Sequence, residues 1–180
     1  MTTNVLIAFY STYGHVHRMA LAVAKGAESV PDVTLRLRRI AELEEARKAL
    51  SVQEAYGRAQ QAQADIAVVT HDDLRWADGI AWGTPTRYGN MSAQMKQFVD
   101  TTGALWLKGE LEDKATSIFT STATIHGGQE TTILTALVPL IHLGMVFVGT
   151  PYGQIVDVNG ASSDAARAPH RRDARRCAER

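Results

Sequence analysis

Apolar and polar positions switch between two periods along this chain. Residues 4–10 carry the unbroken apolar run Val5-Leu6-Ile7-Ala8-Phe9-Tyr10, the pattern of a strand covered on both faces. A helical period follows. Val16, Met19, Ala20, Val23, Ala24 and Ala27 share one face at three- and four-residue spacing, and Gly26 and Pro31 mark its end. Residues 33–38 alternate strictly, which predicts a half-exposed strand at a sheet edge. Residues 41–64, rich in Ala, Glu, Gln and Arg, show little apolar periodicity and predict a loosely packed helix or a mobile excursion. Residues 66–70 read as extended. Thr70 with Asp73 reads as the capped start of a short helix anchored by Leu74 and Trp76.

The second half repeats the alternation. Residues 79–83 predict a buried strand, and Met91, Met95, Phe98 and Val99 mark the inner face of the next helix, with Met91 and Met95 in the core. Residues 102–107 form an apolar connection. Residues 115–121 predict a strand, and residues 129–142 a helix with Ile133, Leu137 and Ile141 inward and Pro139 as a kink. Gly144 stops that helix, and residues 145–148 are the last strand. Strand and helix thus alternate through five strands, the pattern of an α/β doubly wound parallel sheet.

Three strands run straight into polar, glycine-bearing loops: 11–15, 84–90 and 121–128. One such turn commonly serves only to reverse the chain and cap a helix. Three on one edge of a sheet point to a ligand site outside the carboxyl ends of the strands. The first loop, Ser11-Thr12-Tyr13-Gly14-His15, suits a phosphate, because N–H groups at a helix start lack partners and the hydroxyls add donors. It is neither a Walker loop nor a Rossmann fingerprint.

Composition narrows the partners. The chain has 180 residues, 45% hydrophobic, with Lys+Arg and Asp+Glu equal at 19 each, which suits one soluble domain and offers no basic field for nucleic acid. No apolar run approaches a membrane span, and the N-terminus shows no signal-peptide pattern, so the expected location is cytoplasmic. Cys177 is the only cysteine, which excludes an internal disulfide and a multi-cysteine metal site. His15 and His17 have no carboxylate or third ligand close in sequence, and no metal is expected there.

The segments STYGH (11–15), GTPTRYGNMSAQMKQFVD (83–100), GALW (103–106) and STATIHGGQETT (121–132) together resemble the flavodoxin-like quinone oxidoreductases of the WrbA type over residues 4 to about 150. The resemblance implies strand order 2-1-3-4-5, bound FMN, and two-electron transfer from NADH or NADPH to a small-molecule quinone by a ping-pong mechanism. It also implies a homotetramer with the FMN sites at subunit interfaces.

Position by position, it assigns Ser11, Thr12, Tyr13, Gly14, His15 and Val16 to the FMN phosphate. Tyr13 also lies where the nicotinamide nucleotide docks. Pro85, Thr86, Arg87, Tyr88 and Gly89 border the flavin ring, with loop N–H groups toward N1, O2 and N5. Arg87 supplies positive charge where reduction leaves a negative one. Ser121, Thr122, Ala123, Thr124, His126 and Gly127 complete the cradle, and His142 reaches FMN from a neighbouring subunit. Trp106 forms the aromatic wall against which a flat quinone stacks. Arg87, Tyr88 and Trp106 are the expected catalytic residues. Plainer roles stand beside these: packing for Trp106, a solvated charge for Arg87, surface or core positions for His126 and His142. Glu130 reads as a helix-start charge or an intersubunit contact.

The alternative is a flavodoxin-type FMN electron carrier with no quinone reductase activity of its own. Such carriers are typically acidic, whereas this chain has formal charge +0. A receiver-type signalling domain needs acidic residues after the first strand, and Tyr10-Ser11-Thr12 has none.

The C-terminus departs from the family. Thr150-Pro151-Tyr152-Gly153 follows the last strand almost at once, and residues 167–180 contain six arginines without apolar periodicity. The expected organisation is a flavodoxin-like FMN-binding domain over 1–153 and a disordered basic tail over 154–180. An absent or altered final helix is expected, which would leave one sheet face without its cover.

Overall fold

The computed structural model describes residues 2–150. The first apolar run becomes β1 (Thr3–Phe9), followed by α1 (His15–Glu28) and β2 (Val33–Arg39). The excursion folds as two short helices, α2 (Glu44–Leu50) and α3 (Glu54–Gln61). Next come α4 (His71–Trp76), β3 (Gly79–Pro85), α5 (Ala93–Asp100), α6 (Gly103–Leu107), β4 (Ala115–Ser121), α7 (Gln129–His142) and β5 (Val146–Phe147). All pairings are parallel, and the order is β2-β1-β3-β4-β5. This is the flavodoxin-like arrangement the sequence implies. The boundary expected at residue 153 and the basic tail lie outside the described residues.

Period-two alternation divides β1 between two cores. Leu6, Ala8 and Tyr10 join Leu74, Trp82, Met95, Val99, Leu105 and Leu140 on one face. Ile7 and Phe9 meet Val16, Ala20 and Ala24 of α1 on the other. On this second face the His17 ring stacks on Phe9 with centroids 5.5 Å apart, and burial lowers the pKa of that histidine. β2 is half-buried along its length, as an edge strand should be.

Residues 66–70 are extended, as expected, and join the sheet through a single parallel bridge between Val68 and Arg39. Two details differ from the sequence reading. The apolar connection 102–107 is the short helix α6, closed by Thr102 O accepting from the N–H groups of Leu105 (2.9 Å) and Trp106 (3.0 Å). In α7 the inward face is Thr132, Ala136 and Leu140, while Ile141 is exposed and Ile133 and Leu137 are half-buried. That helix is apolar nearly all round, so spacing alone admits several inner faces.

The capped start at Thr70 is present in full. Thr70 Oγ1 accepts from the Asp73 N–H (3.2 Å), and Asp73 Oδ2 accepts from the Thr70 N–H (3.0 Å) and hydroxyl (2.9 Å). The other carboxylate oxygen accepts from Arg36 Nη1 (3.1 Å) and Arg38 Nε (3.2 Å), which ties α4 to β2. Burial raises the pKa of Asp73, but Thr70 and the two arginines outweigh it, and the net value lies below the ordinary 3.8. A carboxyl depressed in the folded state adds stability above its unfolded pKa and loses it as pH falls through the folded value. Asp73→Asn is expected to cost about 1–2 kcal/mol at neutral pH. Urea denaturation at pH 7 and pH 3 should show a smaller acid loss in the variant. An unchanged acid limb would contradict this account.

Candidate functional site

The C-terminal ends of β1, β3 and β4 deliver their loops to one cavity of about 580 Å³. Ser11, Thr12, Tyr13, His15 and Val16 line it from the first loop, Pro85, Thr86 and Arg87 from the second, and Ser121, Thr122 and Ala123 from the third. Gly14 is the N-cap of α1, in the left-handed region at φ 86, and no side chain caps the helix. The first backbone bond into α1 runs from the Arg18 N–H to Gly14 O (3.1 Å), so the earlier N–H groups have no intrahelical partner.

The second loop is a tight turn. The Arg87 N–H donates to Asn90 O (2.8 Å), and the Asn90 N–H donates back to Arg87 O (3.0 Å). The two central residues, Tyr88 and Gly89, have φ 53 and 76, the signs of a type I′ turn. A Cβ on Gly89 would lie 2.5 Å from Thr131 Oγ1, so the turn sits directly against the start of α7. Of the loop N–H groups expected to face a flavin, Thr86 donates to Ser121 O (3.2 Å) and Arg87 is engaged within the turn. Those of Tyr88 and Gly89 have no acceptor among the described residues. The Tyr88 side chain is fully exposed.

The remaining predicted residues divide. Thr124 and Gly127 form a local turn, with the Gly127 N–H donating to Thr124 O (3.2 Å). His126 Nδ1 lies 2.5 Å from Glu130 Oε1, one helical turn away, and this contact lowers the Glu130 pKa. Neither His126 nor Glu130 lines the cavity. Trp106 and His142 line a different groove, with Val138, Pro139 and Leu143.

Sequence reasoning missed the braces of the first loop. Gln63 Nε2 donates to Ser11 O (2.9 Å), and Gln60 Nε2 to Ser11 O (3.1 Å) and Thr12 O (3.2 Å). Tyr56, Ala59, Gln60 and Gln63 stand at helical spacing, but two of the four are glutamines, so an apolar period does not register. A second cavity of about 980 Å³ adjoins the first, sharing Thr12, Tyr13 and Arg87, and Leu43, Leu50, Met91 and Pro139 form its apolar walls.

The residues present fit an FMN phosphate. Ser11 is 2% exposed, and its Oγ is the one buried side-chain nitrogen or oxygen among the described residues without a hydrogen-bond partner. It stands beside unpartnered N–H groups at the positive end of a 14-residue helix, the donor set that holds a phosphate without a lysine.

Known proteins resemble this chain in sequence and in fold. The model of the family described as NADPH-dependent FMN reductase matches residues 5–158. A protein of Geobacter sulfurreducens named NAD(P)H dehydrogenase (quinone) is 51% identical over 166 residues, 88% of this chain and 80% of its own. One of the same name from Geotalea uraniireducens is 53% identical over 151 residues, 83% of this chain and 72% of its own. The crystal structure of a WrbA-like flavodoxin from Agrobacterium tumefaciens superposes with a TM-score of 0.63 at 28% identity, covering 84% of this chain and 80% of the other.

The unpartnered hydroxyl of Ser11 predicts opposed effects on stability and binding. Ser11→Ala removes a buried polar group with no partner and is expected to stabilise the ligand-free protein by about 1 kcal/mol. The same change should weaken FMN binding several-fold. Thermal melts without FMN and fluorescence titration with it check the pair, and a destabilised variant would contradict it.

Proposed function

The chain belongs to the family of NADPH-dependent FMN reductases, and on that premise we propose that it is an NAD(P)H:quinone oxidoreductase. The carrying observation is the convergence of three strand-end loops on one cavity around the orphaned Ser11 hydroxyl. The relatives named NAD(P)H dehydrogenase (quinone), about half identical over most of the chain, support the choice of acceptor.

In this reading, N–H groups of residues 11–16 and the Ser11 hydroxyl hold the phosphate of FMN, and the N–H groups of Tyr88 and Gly89 face the ring. Arg87 sets a permanent positive charge at the cavity mouth. Tyr13, about half exposed at the rim, is the residue we expect an incoming nucleotide to meet. When bound, FMN would supply the redox chemistry, a two-electron relay from NAD(P)H to a quinone in ping-pong order. The chain orients the reactants and fixes the charge around them.

Trp106 and His142 stand apart from this cavity within one chain. Their placement supports a homotetramer in which they serve the FMN site of a neighbouring subunit. Leu134, Val138 and Ile141 on α7, with Trp106 and Leu107, expose apolar surface that such an assembly would cover. Among the described residues no helix is long and apolar enough to cross a membrane, and we place the protein in the cytoplasm. Those surfaces and the formal charge of +0 favour a quinone reductase over an acidic electron carrier.

Purified protein should show a flavin absorption band that bleaches with NAD(P)H and returns on adding benzoquinone. Turnover with no partner protein would separate the enzyme from the carrier. Absence of a flavin band after reconstitution with FMN would overturn the proposal.

A further inference from the structure

Glu42 has no part in the site as assigned, yet it gathers donors from three elements. Its Oε2 accepts from the hydroxyls of Tyr10 (2.8 Å) and Tyr56 (2.9 Å). Its Oε1 accepts from Gln94 Nε2 (2.6 Å) and from the Leu43 N–H (3.0 Å). Tyr10, Tyr56 and Gln94 are 3%, 5% and 8% exposed, so these are interior bonds from the end of β1, from α3 and from α5. All four donors are neutral.

The bonds continue from Tyr10 towards the cavity. Because the Tyr10 proton goes to Glu42, its oxygen accepts from the Thr12 hydroxyl (3.4 Å). The Thr12 oxygen in turn accepts from Arg87 Nη2 (2.8 Å). Every donor points the same way, from a guanidinium at one end to a carboxylate at the other. Burial and Glu42 raise the pKa of both tyrosines, Tyr56 to about 12, so each keeps the proton it donates. Arg87 Nη1 donates to Thr86 O (2.8 Å), a bond inside its own loop. Its bond to Thr12 ties it to the rest of the fold.

We propose that Glu42 is a positioning residue for Arg87. Through Tyr10 and Thr12 its carboxylate sets where the guanidinium stands at the mouth of the cavity, and through Tyr56 it clamps α3 to the same line. The link to binding rests on the FMN reading above, whereas the link between Glu42 and Arg87 does not. Thr12 then has a defined duty: its proton is committed to Tyr10 and its lone pair to Arg87.

Two variants and two measurements test this. Tyr10→Phe keeps the ring packing and removes only the linking hydroxyl. Glu42→Ala removes the terminal acceptor and leaves two tyrosine hydroxyls unpaired. In nitrogen-15 spectra of FMN-free protein, with the Arg87 signal assigned by its loss in Arg87→Ala, guanidinium rotation should quicken several-fold in both Tyr10→Phe and Glu42→Ala, up to about tenfold, the scale of one hydrogen bond. If Glu42→Ala does not fold, Tyr10→Phe still tests the link through which Glu42 acts. Unchanged rotation in Tyr10→Phe, or in a folded Glu42→Ala, overturns the proposal.

The second measurement is FMN affinity by fluorescence quenching in a double-mutant cycle. Tyr10→Phe should weaken FMN about five- to tenfold when Arg87 is present and have no further effect in Arg87→Ala. Equal weakening in both backgrounds would mean that Tyr10 acts only through general stability, and would overturn the proposal. If the wild-type protein binds no FMN, the cofactor reading fails, and Arg87 rotation alone decides whether Glu42 positions it.

Discussion

The structure depends on β1 being hydrogen-bonded on both sides. β2 pairs with it along one edge and β3 along the other, and both run parallel to it. The connections after β1 and β3 must therefore leave towards opposite faces of the sheet, which opens a crevice between them. That crevice receives the Ser11 loop, the Arg87 turn and, from β4, Ser121 and its neighbours. The Tyr10 N–H donating to Gly83 O (2.9 Å) is the last rung between β1 and β3 before the crevice opens. Fold and site share this one constraint.

The sequence was most legible where burial enforces a period. The apolar run of β1, the strict alternation of β2 and the α1 stripe are direct consequences of which faces meet the core, and each appears where expected. The Thr70–Asp73 cap was equally legible, because its two side chains satisfy backbone groups at a fixed spacing. Legibility failed in two physical situations. In α7, apolar residues occupy nearly every face, so composition outweighs phase. In residues 41–64, the inward positions are Tyr56, Ala59, Gln60 and Gln63, and the polar groups of the three polar ones are satisfied by Glu42 and by the carbonyls of Ser11 and Thr12. A hydrophobicity pattern cannot announce a helix whose inner face works by hydrogen bonding.

The candidate site shows the same division. The three strand-end loops and their glycines follow from local chemistry and were readable, whereas a role for Arg87 came only with the family resemblance. The direction of the hydrogen bonds was not readable, since Glu42 and Arg87 are far apart in the chain. Nor did the sequence reveal that Thr86 and Arg87 engage their own N–H groups within the loops, which leaves Tyr88 and Gly89 with the outward donors.

The α2 helix buries no residue, and its charged pairs, Arg47 with Glu44 and Lys48 with Glu44, are exposed. Little free energy separates its folded and frayed forms, so its amides should exchange with solvent well before those of β1. The chain can gain or lose residues there at small thermodynamic cost. Leu43, Ala46 and Leu50 nevertheless line the larger cavity. Evolution thus has a wall it can reshape without disturbing the sheet or the loops that meet at its edge: ligand preference is free to drift while the scaffold stays constant.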